Sequence, residues 1–250
     1  MPTAVFIAKK CRDSKWKLSD FSDDDSFLYK LKDNNVTTIK DISQIMRGLE
    51  IGRNRTSNEG EIPFITGSNI QKFYIKSQSY ISHRTLNAFG KDSYYFTGER
   101  ILIRETGSEL TSIYLDYELY SNRSLYSIKI NNGSFDYKFV LACLNSKILQ
   151  FYYEVKFKSD TNLFPKIRIG QVKELPIPKV NNSQQQPVIA VVNQIIKAKA
   201  ADQQADTLEL ESQMNLLLYK LYNLNYNEVK VVDSEFGLTE EEYVSLLISE

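Results

Sequence analysis

Histidine and cysteine are almost absent from these 250 residues: His83 stands alone, and the only cysteines are Cys11 and Cys143. A lone His without Cys or carboxylate partners at ligand spacing does not describe a metal site. Two cysteines do not make a disulfide framework, and Cys143, on an apolar face, reads as a small buried hydrophobe. Proline (6) and glycine (10) are too few for a collagen-like or low-complexity chain. No stretch approaches the roughly 18 apolar residues of a membrane span. The run AVFIA at 4–8 is too short for a signal-peptide core. The expectation is a cytoplasmic protein with no membrane contact.

Catalytic signatures are missing as well. There is no Pro-Pro pair, so the (Asp/Asn)-Pro-Pro-(Tyr/Phe) motif with which an amino-methyltransferase holds a flipped base cannot be present. No Walker A, dinucleotide fingerprint or nucleophile elbow occurs. Triplets of the (Asp/Glu)-x-Lys type, such as Glu154-Val-Lys156, arise by chance in a chain this charged. Glu154 with Asp136 is the best candidate pair for a metal-dependent nuclease, yet Glu154 falls at a helix end and not on a strand. The expectation is a chain with no catalytic residue, no metal and no cofactor.

Excess charge of one sign is also lacking overall, with 31 Lys and Arg balancing 31 Asp and Glu. The distribution is uneven. Residues 47–173 carry 18 basic against 12 acidic side chains, whereas residues 181–250 carry 4 against 11. A basic centre joined to an acidic tail can bind a polyanion only through a segregated face.

Aromatic residues are plentiful, with 16 Tyr and 13 Phe, which favours β-structure. The stretch Phe139–Val180 organises the reading. Val140, Cys143, Leu144, Ile148, Leu149 and Tyr152 recur at helical spacing, so one buried helix is predicted over 138–153. A basic, turn-rich segment follows, and residues 167–180 read as extended up to Pro176 and Pro178. Upstream, residues 47–58 form a glycine-flanked polar turn, and Ile62–Ile70 a strand ending in a Gly-Ser-Asn turn. Residues 110–130 alternate with period two and are predicted to form a hairpin. Downstream, a helix is expected to open at Pro187 with Val188, Val191, Val192, Ile195 and Ile196 inside. Asp206 and Glu209 have capping-box spacing for the next helix, and Thr239 with Glu242 for a last one ending near Leu247. Residues 1–35 are the least determined: Ser22–Asp25 could cap a short helix, and Trp16 is expected to pack a linker onto the main domain.

Several of these pieces occur in one order: Gly48-x-x-x-Gly52, Thr66-Gly67-x-Asn69-Ile70, Leu144-Asn145-Ser146 with an aromatic helix end, FPKIRIGQVKELPIP, and a tail reading Ala205-Asp206-Thr207 into Leu218-Tyr219-x-Leu221-Tyr222-x-Leu224. This order resembles the TaqI-like C-terminal specificity domain of type IIG restriction-modification enzymes, found beside adenine-specific DNA methyltransferase domains and related to the S subunits of type I systems. The resemblance implies an α+β target-recognition domain over 36–180, preceded by a linker segment (1–35) and followed by a helical brace (181–250). It implies double-stranded DNA and a methyltransferase domain or subunit as partners, with S-adenosylmethionine bound there and not in this chain. Arg53, Asn54, Arg55 and Asn69 are the expected base-edge contacts, since Arg and Asn pair bidentately with guanine and adenine. Lys72, Arg84, Lys156, Lys158 and Lys166 are the expected phosphate contacts. A nuclease using Glu154 and Asp136, or a protein-interaction scaffold in a phage-defence complex, are the alternatives.

Overall fold

In the strand Arg100–Arg104 the side chains alternate, and both faces are buried. Ile101 and Ile103 join one apolar cluster, with Phe139, Val140, Cys143 and Leu144; Leu102 joins another, with Ile65, Ile70, Ile113, Leu115 and Leu125. A strand covered on both sides must lie inside a sheet with a layer on each face. The computed structural model describes residues 31, 35–90, 92–157 and 165–246 and shows that arrangement. The expectations for Trp16 and for a cap at Ser22–Asp25 fall outside the described residues.

The chain enters with β1 (Val36–Thr38), a one-turn helix α1 (Ile39–Ile42) and β2 (Ser43–Arg47). The small lobe follows: β3 (Ile62–Ile65), β4 (Ile70–Gln71), β5 (Tyr74–Ile75), β6 (Ser79–Ile81) and helix α2 (His83–Phe89). Then come β7 (Arg100–Arg104), β8 (Ser112–Leu115), β9 (Tyr120–Ser121) and β10 (Leu125–Ile130). The central sheet has the order β2-β10-β7-β8 and is antiparallel throughout. A second sheet, β6-β3-β9, encloses Leu49, Ile51, Ile62, Phe64, Ile81, Phe96 and Tyr120. The fold is α+β, as expected.

Residues 110–130 do not make the expected hairpin. β8 pairs with β7, and β10 pairs with the opposite edge of β7. The alternation within each strand was real, but both strands needed the buried β7 as partner.

The buried helix is two helices. α3 (Tyr137–Asn145) is capped by Asp136, whose Oδ1 accepts from Lys138 N at 2.7 Å, and α4 (Lys147–Phe157) follows after a break. Ser146 is extended (ψ 157°). Its hydroxyl donates to Cys143 O at 2.7 Å and accepts from Leu149 N at 3.2 Å, ending one helix and starting the next. Asn145, buried beside it, accepts from Ser112 N at 2.9 Å and donates to Ser112 O at 3.0 Å, which ties α3 to β8. Leu144, Ile148 and Leu149 are fully buried, as predicted.

The stretch after Lys166 is not extended throughout. Ile169–Lys173 forms a short helix, α5, with Val172 inside, and only Pro176–Pro178 is strand, β11. β11 pairs antiparallel with β1. Leu175 accepts from Ile39 N and Lys179 donates to Asn35 O, so the odd-numbered residues face β1. The two prolines occupy the even positions, where a missing N–H removes no ladder bond.

α6 (Asn182–Ala201) begins five residues before Pro187, at an Asn181/Gln184 capping box, because that pair satisfies the first free N–H groups. Pro187 sits inside the helix and leaves the carbonyl of exposed Ser183 to water. α7 (Leu208–Leu221) is capped from Thr207, with Asp206 accepting from Leu208 N at 3.0 Å, one residue later than the spacing suggested. α8 (Tyr226–Val232) and α9 (Glu240–Ser245) are the last helices of the described residues; Thr239 and Glu242 form the expected capping box. Val188, Val191, Val192 and Ile195 of α6, with Met214, Leu218 and Tyr219 of α7, share the cluster that holds α3 and α4.

Candidate functional site

Where β3 ends, Thr66 starts a tight turn over Gly67–Asn69. Asn69 Oδ1 accepts from both Thr66 N and Thr66 Oγ1 at 2.8 Å, and Asn69 Nδ2 donates to Ser77 Oγ at 2.8 Å. Gly67 N donates to Ser124 Oγ at 2.7 Å. A Cβ at Gly67 would sit 3.0 Å from Ser124 Oγ and 3.1 Å from Arg104 Cγ, so a side chain there would need those neighbours to give by a few tenths of an ångström. Lys76 N donates to Asn69 O at 2.8 Å, which returns Lys76 to the same place.

Four segments therefore converge on a cleft of about 420 Å³, lined by Thr66, Gly67, Ser68, Lys76, Arg104, Thr106, Asn122 and Ser124. It holds two cations and no carboxylate. Glu105, between Arg104 and Thr106, is buried, and its carboxylate is paired with Arg47. That carboxylate raises the Arg47 pKa above the ordinary guanidinium value. Arg47 Nε donates to the backbone carbonyl of Arg123 at 3.0 Å, and Arg123 NH1 meets Glu50 Oε2 at 3.0 Å, so one hydrogen bond joins two ion pairs beside the cleft. Lys166 is exposed, and its backbone bridges to Thr106.

The basic surplus of the central segment is not all at the surface. Arg100 is fully buried and donates to three carbonyls, Gly98 and Tyr117 at 2.7 Å and Leu119 at 3.0 Å. Desolvation lowers its pKa to about 10. Lys129, also buried, donates to Thr97 O and Glu99 O. These two cations hold the 97–99 turn, and Arg100 the 117–119 segment as well; neither faces a ligand.

The residues singled out from sequence fall in several places. Arg53–Arg55 is one 3-10 turn; Asn54 and Arg55 are exposed, and the Arg55 guanidinium lies 4.7 Å from the Phe89 ring centroid, on the helix that carries exposed Arg84. The structure thus brings Arg55 and Arg84 onto one small lobe. Asn69 has its Oδ1 engaged by Thr66 within its own turn, and its Nδ2 donates one hydrogen to Ser77 Oγ beyond it. Lys72 is ion-paired with Glu109 at 2.8 Å. Lys156 lies on the helical layer, where its Nζ donates to Tyr152 OH at 2.7 Å and packs near the Tyr152 and Phe157 rings; burial lowers its pKa. Lys158 lies outside the described residues. Asp136 is occupied as a helix cap, Glu154 Oε1 accepts from Gln150 Nε2 at 2.8 Å, and among the described residues no three His, Cys, Asp or Glu gather as a metal site.

Lys76, Arg104, Thr106, Asn122 and Ser124 were not anticipated from sequence as site residues. The parity of β7 held a signal for Arg104, since Ile101 and Ile103 face the helices and Arg104 must face the other way. Nothing local links Asn122 and Ser124 to Gly67.

Residues 62–177 match the family model described as the TaqI-like C-terminal specificity domain. No curated protein matches the chain. Among solved structures, the type I restriction-modification S subunit from M. genitalium is similar with a TM-score of 0.46 and 17% identity, over 87% of this chain and 56% of that one. The HsdS subunit from Thermoanaerobacter tengcongensis gives 0.46 and 14%, over 88% and 56%. The type IIL restriction-modification enzyme MmeI, solved with DNA, gives 0.45 and 11%, over 84% and 35%. The chain spans little more than half the length of the S subunits it is compared with.

Proposed function

We propose, from the match of residues 62–177 to the TaqI-like C-terminal specificity domain, that this chain recognises a short sequence in duplex DNA. The family match carries the reading. Three features support it: the basic surplus of residues 47–173, the carboxylate-free cleft, and a turn that presents Asn54 and Arg55 to solvent. Arg53, Asn54 and Arg55 are the proposed base-edge contacts. Asn69 joins that set through one amide hydrogen, since its Oδ1 is engaged by Thr66 and the other hydrogen by Ser77. Arg84 and Lys166 are the proposed phosphate contacts from the original group; the pairing of Lys72 and the burial of Lys156 speak for structural roles. The chain acts without chemistry of its own, and methyl transfer belongs to a partner domain or subunit that binds S-adenosylmethionine. The engagement of Asp136 and Glu154 in helix capping and an i,i+4 bond gives a nuclease no support.

Selection from a randomised duplex pool identifies the cognate site, and competition with a scrambled duplex then sorts the contacts. Arg55→Ala is expected to weaken cognate binding by roughly 1–3 kcal/mol and to leave scrambled-duplex binding nearly unchanged. Equal losses on both duplexes would remove Arg55 from the reading set. Selection that enriches no sequence would overturn the functional proposal itself.

A further inference from the structure

We infer that the cleft between the Gly67–Asn69 turn and the end of β7 is a binding site for a phosphodiester oxyanion. The inference rests on the DNA-binding reading above and assigns to this cleft the sequence-independent part of the grip. Following the protons leads to it. Thr66 Oγ1 donates to Asn69 Oδ1, so the hydrogen bond between Thr66 and Ser68 is donated by Ser68. Ser124 Oγ accepts from Gly67 N and donates to Asn122 Oδ1, which also accepts from Ser124 N. The side-chain acceptors of Thr66, Asn69, Asn122 and Ser124 are thereby engaged, whereas Asn122 Nδ2, the Thr106 hydroxyl and the two cations remain as donors.

Neither cation of the cleft is paired with a carboxylate among the described residues. Lys40, Arg47, Lys72, Arg123 and Lys147 each meet a carboxylate. Among the described residues the Arg104 side chain donates to the neutral Thr111 Oγ1 alone, and its Nε is buried with no partner. Among the described residues Lys76 has no ion pair. A concave site offering two unneutralised cations and two neutral donors favours an anion. Its volume, about 420 Å³, exceeds what a lone ion needs and admits a phosphodiester with part of its sugars. The backbone phosphate carries no sequence information, so this site fixes register while the 53–55 turn reads.

The test uses the full chain and the variants Lys76→Ala and Thr106→Val, both at exposed positions where folding is spared. Duplex binding, cognate and scrambled, is measured between 50 and 200 mM salt. One phosphate contact contributes a slope near 0.9, so the salt-induced loss of affinity for Lys76→Ala is expected to be roughly 3.5-fold smaller than for the unaltered chain. The effect should be equal on both duplexes. Thr106→Val should weaken both duplexes about equally without changing the slope. In parallel, inorganic phosphate and a dinucleotide are titrated while amide resonances of Gly67, Asn122 and Thr106 are followed. If duplex binds with an unchanged slope in Lys76→Ala, the cleft assignment is wrong and the DNA reading stands. If duplex fails to bind but dinucleotide or phosphate shifts those resonances, the cleft is an oxyanion site and the DNA reading falls. Silence in both arms sinks both.

Discussion

Gly48, the first glycine of the Gly48-x-x-x-Gly52 stretch, is required for space and not for its dihedral angles. A Cβ built there lies 2.2 Å from Asn122 O and 2.6 Å from Ser121 O. Both are backbone atoms, so no rotamer change relieves the overlap. Ordinary contact would need the two segments to part by about 1 Å. That movement stretches three bonds: Gly48 N to Leu125 O (3.0 Å), Leu49 N to Ser121 O (2.8 Å) and Arg123 N to Leu49 O (2.8 Å). Overpacking costs about 1–3 kcal/mol, and each weakened hydrogen bond adds roughly 0.5–1.5 kcal/mol. Gly48→Ala is therefore expected to lose about 2.5–7.5 kcal/mol. A loss of about 4 kcal/mol corresponds to a fall in Tm of roughly 8–16 °C for a chain of this size. Gly52→Ala is the control. Its Cβ meets only Asn54 Oδ1, at 2.9 Å, the end of a side chain that can turn away. Both substitutions gain similarly from a stiffer unfolded chain, so their difference isolates the clash. Urea unfolding of the two variants, with unchanged m-values, gives that difference. Equal stabilities within about 0.5 kcal/mol would refute the packing argument.

Two further outcomes test other parts of the fold. Asn145→Ala leaves the buried N–H of Ser112 without a partner, while Phe73 N still donates to Ser112 O, and should destabilise by roughly 1–3 kcal/mol in urea unfolding; a loss below about 0.5 kcal/mol would mean water replaces the amide. Asp41 accepts from the Thr38 hydroxyl first of all, which holds its carboxyl below the ordinary value of 3.8. Its folded-state pKa being depressed, its stabilisation is complete above that ordinary value and lost as pH falls through the folded one. The stability difference between the unaltered chain and Asp41→Asn should be constant near neutrality and vanish in acid; a difference that persists there would assign it to something other than ionisation.

What could be read from the sequence was what neighbours along the chain decide. Leu144, Ile148 and Leu149 recur at helical spacing, and they are buried. Thr239 and Glu242 stand three apart, and they cap α9. Tyr152 and Lys156 stand four apart, so their contact was legible, although charge alone suggested a phosphate ligand. The break at Ser146 was legible only in its local part, the serine hydroxyl that caps the second helix, and not in the two hydrogen bonds between Asn145 and a strand 33 residues away. The partners of β8 and β10 were hidden for the same reason: period-two alternation says which face is inside, and not which strand lies alongside. The cleft combines both cases. Its Thr66-Gly67-Ser68-Asn69 turn was visible as a turn, but the Asn122 and Ser124 that complete it arrive by a tertiary path.

The order β2-β10-β7-β8 also sets a timetable. β7 and β8 are adjacent in sequence and can pair as soon as both exist. β2 must wait, since Arg47 pairs with Tyr126, about 80 residues later. At roughly 5–20 residues per second, a nascent chain holds β2 without its partner for about 4–16 s. β1 waits longer still, because Val36 meets Pro178 only after every strand of the central sheet has been made. The closing of β1 on β11 is thus a late step with a large loop to close. A ribosome-stalled chain ending before Pro176 would contain every strand of the central sheet and still lack the clasp.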